Sequence, residues 1–324
     1  TKIDPNPVSG ALPRRLYQSQ KVTTMKTGSN CKLHGVIPAI VTPLRPNGDV
    51  DEALLRKQTE YLVSSGVNGL FVCGGTGEGA YLTTAEKKRV FEVIQETAAG
   101  RVFLCLAVIN SNTRATLAEL EALSICKPDF FVSTPPYYHA MTQQDILSHY
   151  AAVTAASTAP VILYNIPSTT HNTIELDTVY ALSKLPNVAG IKDSSGNFVP
   201  FSRGLFGPRS DQFAWIQGED YLCGSALLCG GDGMVSGLSN ARVEPYVEMY
   251  RAYEQGDTDK IIECQRRINF LYRVIHSCGN GNAAIKAVTE LAGRGARYMR
   301  QGSMNLTDEQ VAVIAQIMAE YEAL

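Results

Sequence analysis

An α/β chain built as a (β/α)8 TIM barrel with a C-terminal helical appendage is the class this sequence predicts, on three observations. Short apolar runs alternate regularly with amphipathic stretches from residue 35 onward. Eight such runs can be counted, each followed by a helical pattern, which is the number a closed parallel barrel needs; an open doubly wound sheet uses fewer strands and a topological switch point. Helical periodicity then continues well past the eighth pair, beyond what barrel closure requires.

The predicted strands are Val36–Thr42, Gly69–Cys73, Val102–Ile109, Asp129–Ser133, Val161–Asn165, Val188–Lys192, Phe213–Gln217 and Gly233–Gly237. Each is short, apolar and rich in β-branched or aromatic residues, as strands buried on both faces are. Between them, apolar spacing near 3.6 predicts helices over Glu52–Ser65, Ala85–Thr97, Thr113–Ile125, Gln143–Ala156, Leu176–Lys184 and Tyr221–Leu228. Thr83-Thr84-Ala85-Glu86 has capping-box spacing at the start of the second. Val243–Glu254 supplies the eighth helix, and Asp259–His276, Asn282–Leu291 and Thr307–Leu324 form the appendage. The expected division is an N-terminal arm over 1–33, the barrel over 34–256 and the helical domain over 257–324. The first 30 residues, with Pro5, Pro7 and Pro13 and little periodicity, read as an extended arm, and Met25 is an alternative start that leaves residues 1–24 outside the native chain.

Composition narrows the function. A net charge of -2 without Lys/Arg clusters argues against nucleic acid as the main partner. No apolar run approaches a membrane span, so no membrane association is expected. The eight cysteines are scattered, with no C-x-x-C pair, which speaks against zinc and for reduced thiols in a cytoplasmic setting.

The most informative residue is Lys192, in the apolar run Val188-Ala189-Gly190-Ile191-Lys192. Buried strands rarely spend a position on an amine. Burial disfavours the charged form of an amine and leaves a nucleophile able to attack a carbonyl. Strict alternation puts Val188, Gly190 and Lys192 on one face and Ala189, Ile191 and Asp193 on the other, with Gly190 clearing space beside the amine. The competing reading is a lysine that snorkels from a strand end to solvent.

Barrel chemistry sits where strands run into their following loops. Those positions hold Cys73-Gly74-Gly75-Thr76-Gly77-Glu78-Gly79, Thr134-Pro135-Pro136-Tyr137-Tyr138, Tyr164-Asn165-Ile166-Pro167, Lys192, Gly218-Glu219-Asp220 and Val235-Ser236-Gly237. An amine, several phenols and a glycine-rich turn with a hydroxyl suit Schiff-base chemistry on a 2-oxo acid. The turn loosely matches G-x-G-x-x-A, but no acidic residue closes a second strand about 20 positions later, so its backbone N–H groups and Thr76 are better suited to a carboxylate. The five histidines show neither triad nor metal spacing.

These motifs resemble the pyruvate-dependent class I aldolases and lyases related to dihydrodipicolinate synthase and N-acetylneuraminate lyase. The resemblance runs from about His34 to the end. It is carried by Gly74-Gly75-Thr76-Gly77-Glu78, Pro136-Tyr137-Tyr138, Tyr164-Asn165-Ile166-Pro167, Gly190-Ile191-Lys192-Asp193-Ser194-Ser195-Gly196 and Gly230-Gly231-Asp232-Gly233-Met234-Val235-Ser236. It implies that Lys192 forms the Schiff base with pyruvate, that Tyr164 is the acid/base phenol, and that Tyr138 reaches into a neighbouring subunit's site within a homotetramer. It further implies that Thr76, with backbone near Gly75, holds the pyruvate carboxylate while Val235 lines the pocket. No metal or organic cofactor is implied.

Two departures bear on the substrate. Gly75 stands where the family usually has a hydroxyl residue, removing a proton relay or leaving it to water. Thr169 stands where the synthases have an arginine that grips the second substrate's carboxylate, which disfavours dihydrodipicolinate synthesis. Asp220 is kept from the acidic pair of the sialic-acid lyases, but Tyr221 follows it. Elimination leaves cleavage of a 2-oxo-3-deoxy sugar acid to pyruvate and an aldehyde, with Thr169, Ser194, Gly218 and Asp220 around the part beyond pyruvate. Synthase-type condensation, dehydration through the same imine and non-catalytic binding of a 2-oxo acid are the alternatives.

Overall fold

The computed structural model describes residues 32–208 and 210–324. Eight parallel strands run in the order β1-β8-β7-β6-β5-β4-β3-β2. They are β1 (Gly35–Pro38), β2 (Gly69–Val72), β3 (Phe103–Val108), β4 (Phe130–Ser133), β5 (Val161–Asn165), β6 (Val188–Asp193), β7 (Ala214–Gln217) and β8 (Gly233–Ser236). The seam between β1 and β2 is closed by an Ala39–Phe71 bridge and by Ile40 N–H donating to the Phe71 carbonyl at 3.1 Å. The result is a nearly closed (β/α)8 barrel with helices outside and further helices C-terminal to it. Most of the expected arm, residues 1–31, lies outside the described residues.

Every predicted strand is present. The first is shorter than expected, because beyond Pro38 the pairing is reduced to the single Ala39–Phe71 bridge. The capping box forms: Thr83 Oγ1 accepts from Glu86 N–H, and Glu86 returns a bond to Thr83 N–H at 2.8 Å. The long helix expected over Asp259–His276 is two, Thr258–Leu271 and Arg273–His276. A helix over Phe198–Phe206 follows β6, where the sequence reading assigned no helix bounds. Pro200 and Gly204 mask it, although Pro200 falls in the first turn, where no N–H is missed. Gly204 is required by packing: a Cβ there would lie 2.0 Å from the Trp215 ring.

The facing pattern of β6 departs from strict alternation. Val161 pairs with Val188 but Ile162 with Gly190, so β6 carries an extra residue. This bulge turns Ala189 toward the barrel interior, with Tyr164 and Ile216, while Val188 and Ile191 pack outward with Phe201 and Trp215. Gly190 leaves room for the neighbouring strand, since a Cβ there would meet Ala214 O at 2.4 Å. Bulges of this kind are a common way to re-aim a side chain at an active site.

The barrel interior is filled by Ile37, Phe71, Cys105, Val132, Ile162, Ile216 and Val235, among others. A separate core joins Val41, Leu238 and Ala241, at the strand-exit end of the barrel, to Leu271, Val274, Ala284, Val288 and Ile314 of the C-terminal helices. The appendage therefore sits beside the mouth. Among the described residues no helix is long and apolar enough to cross a membrane.

Candidate active site at the barrel mouth

Three lysines are buried among the described residues: Lys87, Lys192 and Lys286. Two of them are neutralised at once. Lys87 Nζ lies 2.6 Å from Glu119, and Lys286 Nζ lies 2.5 Å from Glu78. Lys192, 5% exposed, has no carboxylate within salt-bridge distance among the described residues. Its amine instead rests over two ring faces, 3.9 Å from the Tyr164 centroid and 4.5 Å from that of Phe71. An unpaired buried amine is expensive unless it has work to do.

Register explains the meeting. Tyr164 pairs with Lys192 across β5 and β6, so both side chains enter the barrel at one level. The Phe71 ring meets Tyr164 edge-on at 5.8 Å. Below the amine, Leu33, Ile37, Cys105, Ile162, Ile216 and Val235 line a small apolar space. Lys192 therefore stands on an apolar floor near the C-terminal end of β6. The structure sets aside the snorkelling lysine.

The loop after β7 closes one side. Gly218 has no room for a side chain: a Cβ would lie 2.1 Å from Ser194 Oγ and 3.0 Å from Lys192 Cε. Ser194 Oγ donates to the Gly218 carbonyl at 3.3 Å. Gln217 Oε1 accepts from the N–H groups of both Gly218 and Glu219 at 2.9 Å. Asp220 Oδ1 accepts hydroxyl bonds from Ser236 at 2.5 Å and Tyr246 at 2.6 Å. Burial pushes the Asp220 carboxyl up to about 6, although both hydroxyls favour its ionised form.

The glycine-rich turn after β2 closes another side. Thr76 lies against β8, its Oγ1 2.5 Å from where a Gly237 Cβ would be. Gly75 is exposed, and a Cβ there would meet nothing within 4 Å. The space for a hydroxyl side chain at this position is present and unused. Thr169 is exposed at the rim, in the single turn Pro167–Thr170. Tyr138 is 79% exposed and held at φ 86°, a strained conformation for an aromatic residue. Among the described residues no three His, Cys, Asp or Glu side chains converge as metal ligands.

A model of the dihydrodipicolinate synthetase family matches residues 32–320. The chain belongs to that family. The 4-hydroxy-tetrahydrodipicolinate synthase of Methanosphaerula palustris is 32% identical over 290 residues, covering 89% of this chain and 99% of that relative. The synthase of Listeria innocua is 35% identical over 247 residues, 76% and 84% of the two chains. Among solved structures, the pyruvate complex of chloride-inhibited dihydrodipicolinate synthase from Acinetobacter baumannii superposes with a TM-score of 0.84 at 26% identity, covering 90% of this chain and 99% of that one. The Aquifex aeolicus dihydrodipicolinate synthase gives 0.83 at 26% identity, covering 90% and 98%. The family is one of Schiff-base-forming, pyruvate-dependent carbon–carbon lyases, and this chain is an enzyme of that type. Its relatives are named as synthases, so the comparisons favour the condensation alternative over the sugar-acid cleavage that elimination gave.

Several residues that shape the site escaped sequence reasoning. Phe71 lies inside an apolar run with nothing to mark it. Tyr246, which with Ser236 holds Asp220, comes from a separate element and is joined to the site only by the fold. Lys286 was detectable: it interrupts the apolar run Ala283-Ala284-Ile285-Lys286-Ala287-Val288 just as Lys192 interrupts its own.

Proposed function

We propose that this enzyme holds pyruvate as an imine on Lys192 and adds the derived enamine to an aldehyde, the synthase-type condensation, reversibly. The observation that carries this reading is that Lys192 is a buried lysine with no carboxylate in salt-bridge distance among the described residues, set against Tyr164 on the adjacent strand. Lys192 attacks the 2-oxo carbon, and Tyr164 shuttles protons as the carbinolamine forms and collapses. The protonated imine is the electron sink, and loss of a C3 proton gives the enamine that attacks the aldehyde. Thr76 and the backbone at Gly75 hold the pyruvate carboxylate, and Val235 walls the pocket. Ser194, Gly218, Asp220 and Thr169 surround the aldehyde portion. The substrate itself is the covalent partner, with neither metal nor organic cofactor in the scheme.

Tyr138 supports a homo-oligomer, read here as a tetramer. An exposed ring held in a strained conformation gains a purpose if a second copy receives it. The reduced thiols suit a cytoplasmic enzyme, and the substrates are small molecules.

One observation favours a second reading. Thr169 brings no cation to the rim, so an aldehyde bearing its own carboxylate lacks the partner that an arginine would give. This supports cleavage of 2-oxo-3-deoxy sugar acids through the same imine. Product analysis separates the two. Pyruvate plus aspartate semialdehyde should yield a condensed heterocycle, whereas release of pyruvate from 2-oxo-3-deoxy sugar acids, without condensation, would replace the synthase reading by the second.

A further inference from the structure

We propose that Lys286 of the C-terminal appendage is a positioning residue for pyruvate, acting through Glu78 on the turn that carries Thr76. This rests on the reading that Thr76 and its backbone hold the pyruvate carboxylate.

The turn is strained at both ends. Cys73 and Glu78 adopt left-handed conformations, at φ 58° and 56°, a backbone region that is costly for non-glycine residues. Strain persists only where the surroundings over-determine it. On the barrel side, Thr42 Oγ1 donates to the Gly77 carbonyl at 2.8 Å, and Gly79 N–H returns to Gly74 O at 2.9 Å. On the other side the holding groups all come from the appendage.

Lys286 lies on the helix Gly281–Leu291, and its side chain and that of Glu78 are 0% and 1% exposed. The ammonium also donates to the Tyr298 carbonyl at 2.6 Å, and the second Glu78 oxygen accepts Arg300 N–H at 2.9 Å. Both Glu78 oxygens are thereby engaged. One turn earlier on the same helix, Asn282 Nδ2 donates to the Gly75 carbonyl at 3.1 Å. Thr76 sits between these two anchors, so its hydroxyl and the adjacent N–H groups take their direction from the appendage. A buried ion pair is seldom the most stabilising filling for its space. Here its geometry fixes a turn that would otherwise relax.

The test is the pyruvate dependence of borohydride trapping in the full-length protein. The double variant Glu78→Met/Lys286→Met replaces both charges with apolar groups of similar length and leaves neither one buried alone. Asn282→Ala is a milder variant that keeps the pair. Loss of pre-organisation should raise half-saturating pyruvate about tenfold in the double variant and about threefold in Asn282→Ala, with the maximal trapping rate within about twofold. If the double variant does not fold, the double variant Glu78→Gln/Lys286→Gln, which removes both charges and keeps polar side chains, decides in its place. Unchanged half-saturation, with or without a lower melting temperature, would overturn the proposal and leave the pair purely structural. A fall confined to the maximal rate would overturn it as well. Failure of the unmodified protein to trap pyruvate at all would remove the underlying reading and this inference with it.

Discussion

Asp220→Asn should change how stability depends on pH, in a direction the structure dictates. The carboxyl is enclosed at the end of the barrel, bonded by Ser236 and Tyr246, and burial raises it to about 6 from its ordinary 3.8. The folded protein thus holds this proton more tightly than the unfolded chain. The stability this provides is fully present below pH 3.8 and is lost as pH rises through 6. At roughly 1.36 kcal/mol per pH unit, the difference amounts to at most about 3 kcal/mol. Asparagine cannot ionise, yet its amide oxygen can still accept both hydroxyl bonds. The variant should therefore gain stability relative to the parent as pH climbs from about 4 to about 7, by 1–3 kcal/mol as an order of magnitude. Urea denaturation across that range, with calorimetry at each end, measures the difference. A constant offset between the two proteins at every pH would refute the reasoning.

Three further outcomes are expected. Gly218→Ala drives a methyl into Lys192 Cε and Ser194 Oγ, so borohydride trapping with pyruvate should slow by about 100-fold or more, as misplacement of a reacting group by about 1 Å does; trapping at the parental rate would count against the crowding. Thr134 Oγ1 is buried with no hydrogen-bond partner among the described residues, so Thr134→Val should raise stability in urea titration by about 1 kcal/mol, and a loss would show that the hydroxyl is satisfied. Thr169→Arg should raise kcat/KM for a carboxylate-bearing aldehyde by about tenfold or more, the scale of a charge-assisted bond; steady-state kinetics with equal values for both proteins would show that residue 169 does not face the acceptor.

The barrel was legible because its signals are local and repeated. Eight apolar runs, the capping box at Thr83 and the punctuation by glycine and proline survive in a one-dimensional reading. The placement of Lys192 and Tyr164 was legible for the same reason, each lying at a strand end. The helix Phe198–Phe206 was hidden by Pro200 and Gly204, residues that break helices elsewhere but are tolerated here by position and by the Trp215 ring. The bulge at Ala189 was invisible because it depends on pairing between strands, not on β6 alone. Likewise, nothing near Asp220 announces Tyr246, 26 residues away. Substrate choice was the least legible part. One missing arginine at position 169 outweighed the rest of the motif pattern, whereas similarity along nearly the whole chain points to the synthases.

The most direct measurement is reduction of the enzyme with borohydride in the presence of pyruvate, followed by peptide mass analysis. The account predicts one covalent three-carbon adduct per chain, located on Lys192 and absent from Lys192→Met. An adduct at Lys87 or Lys286, or no adduct at all, would contradict it.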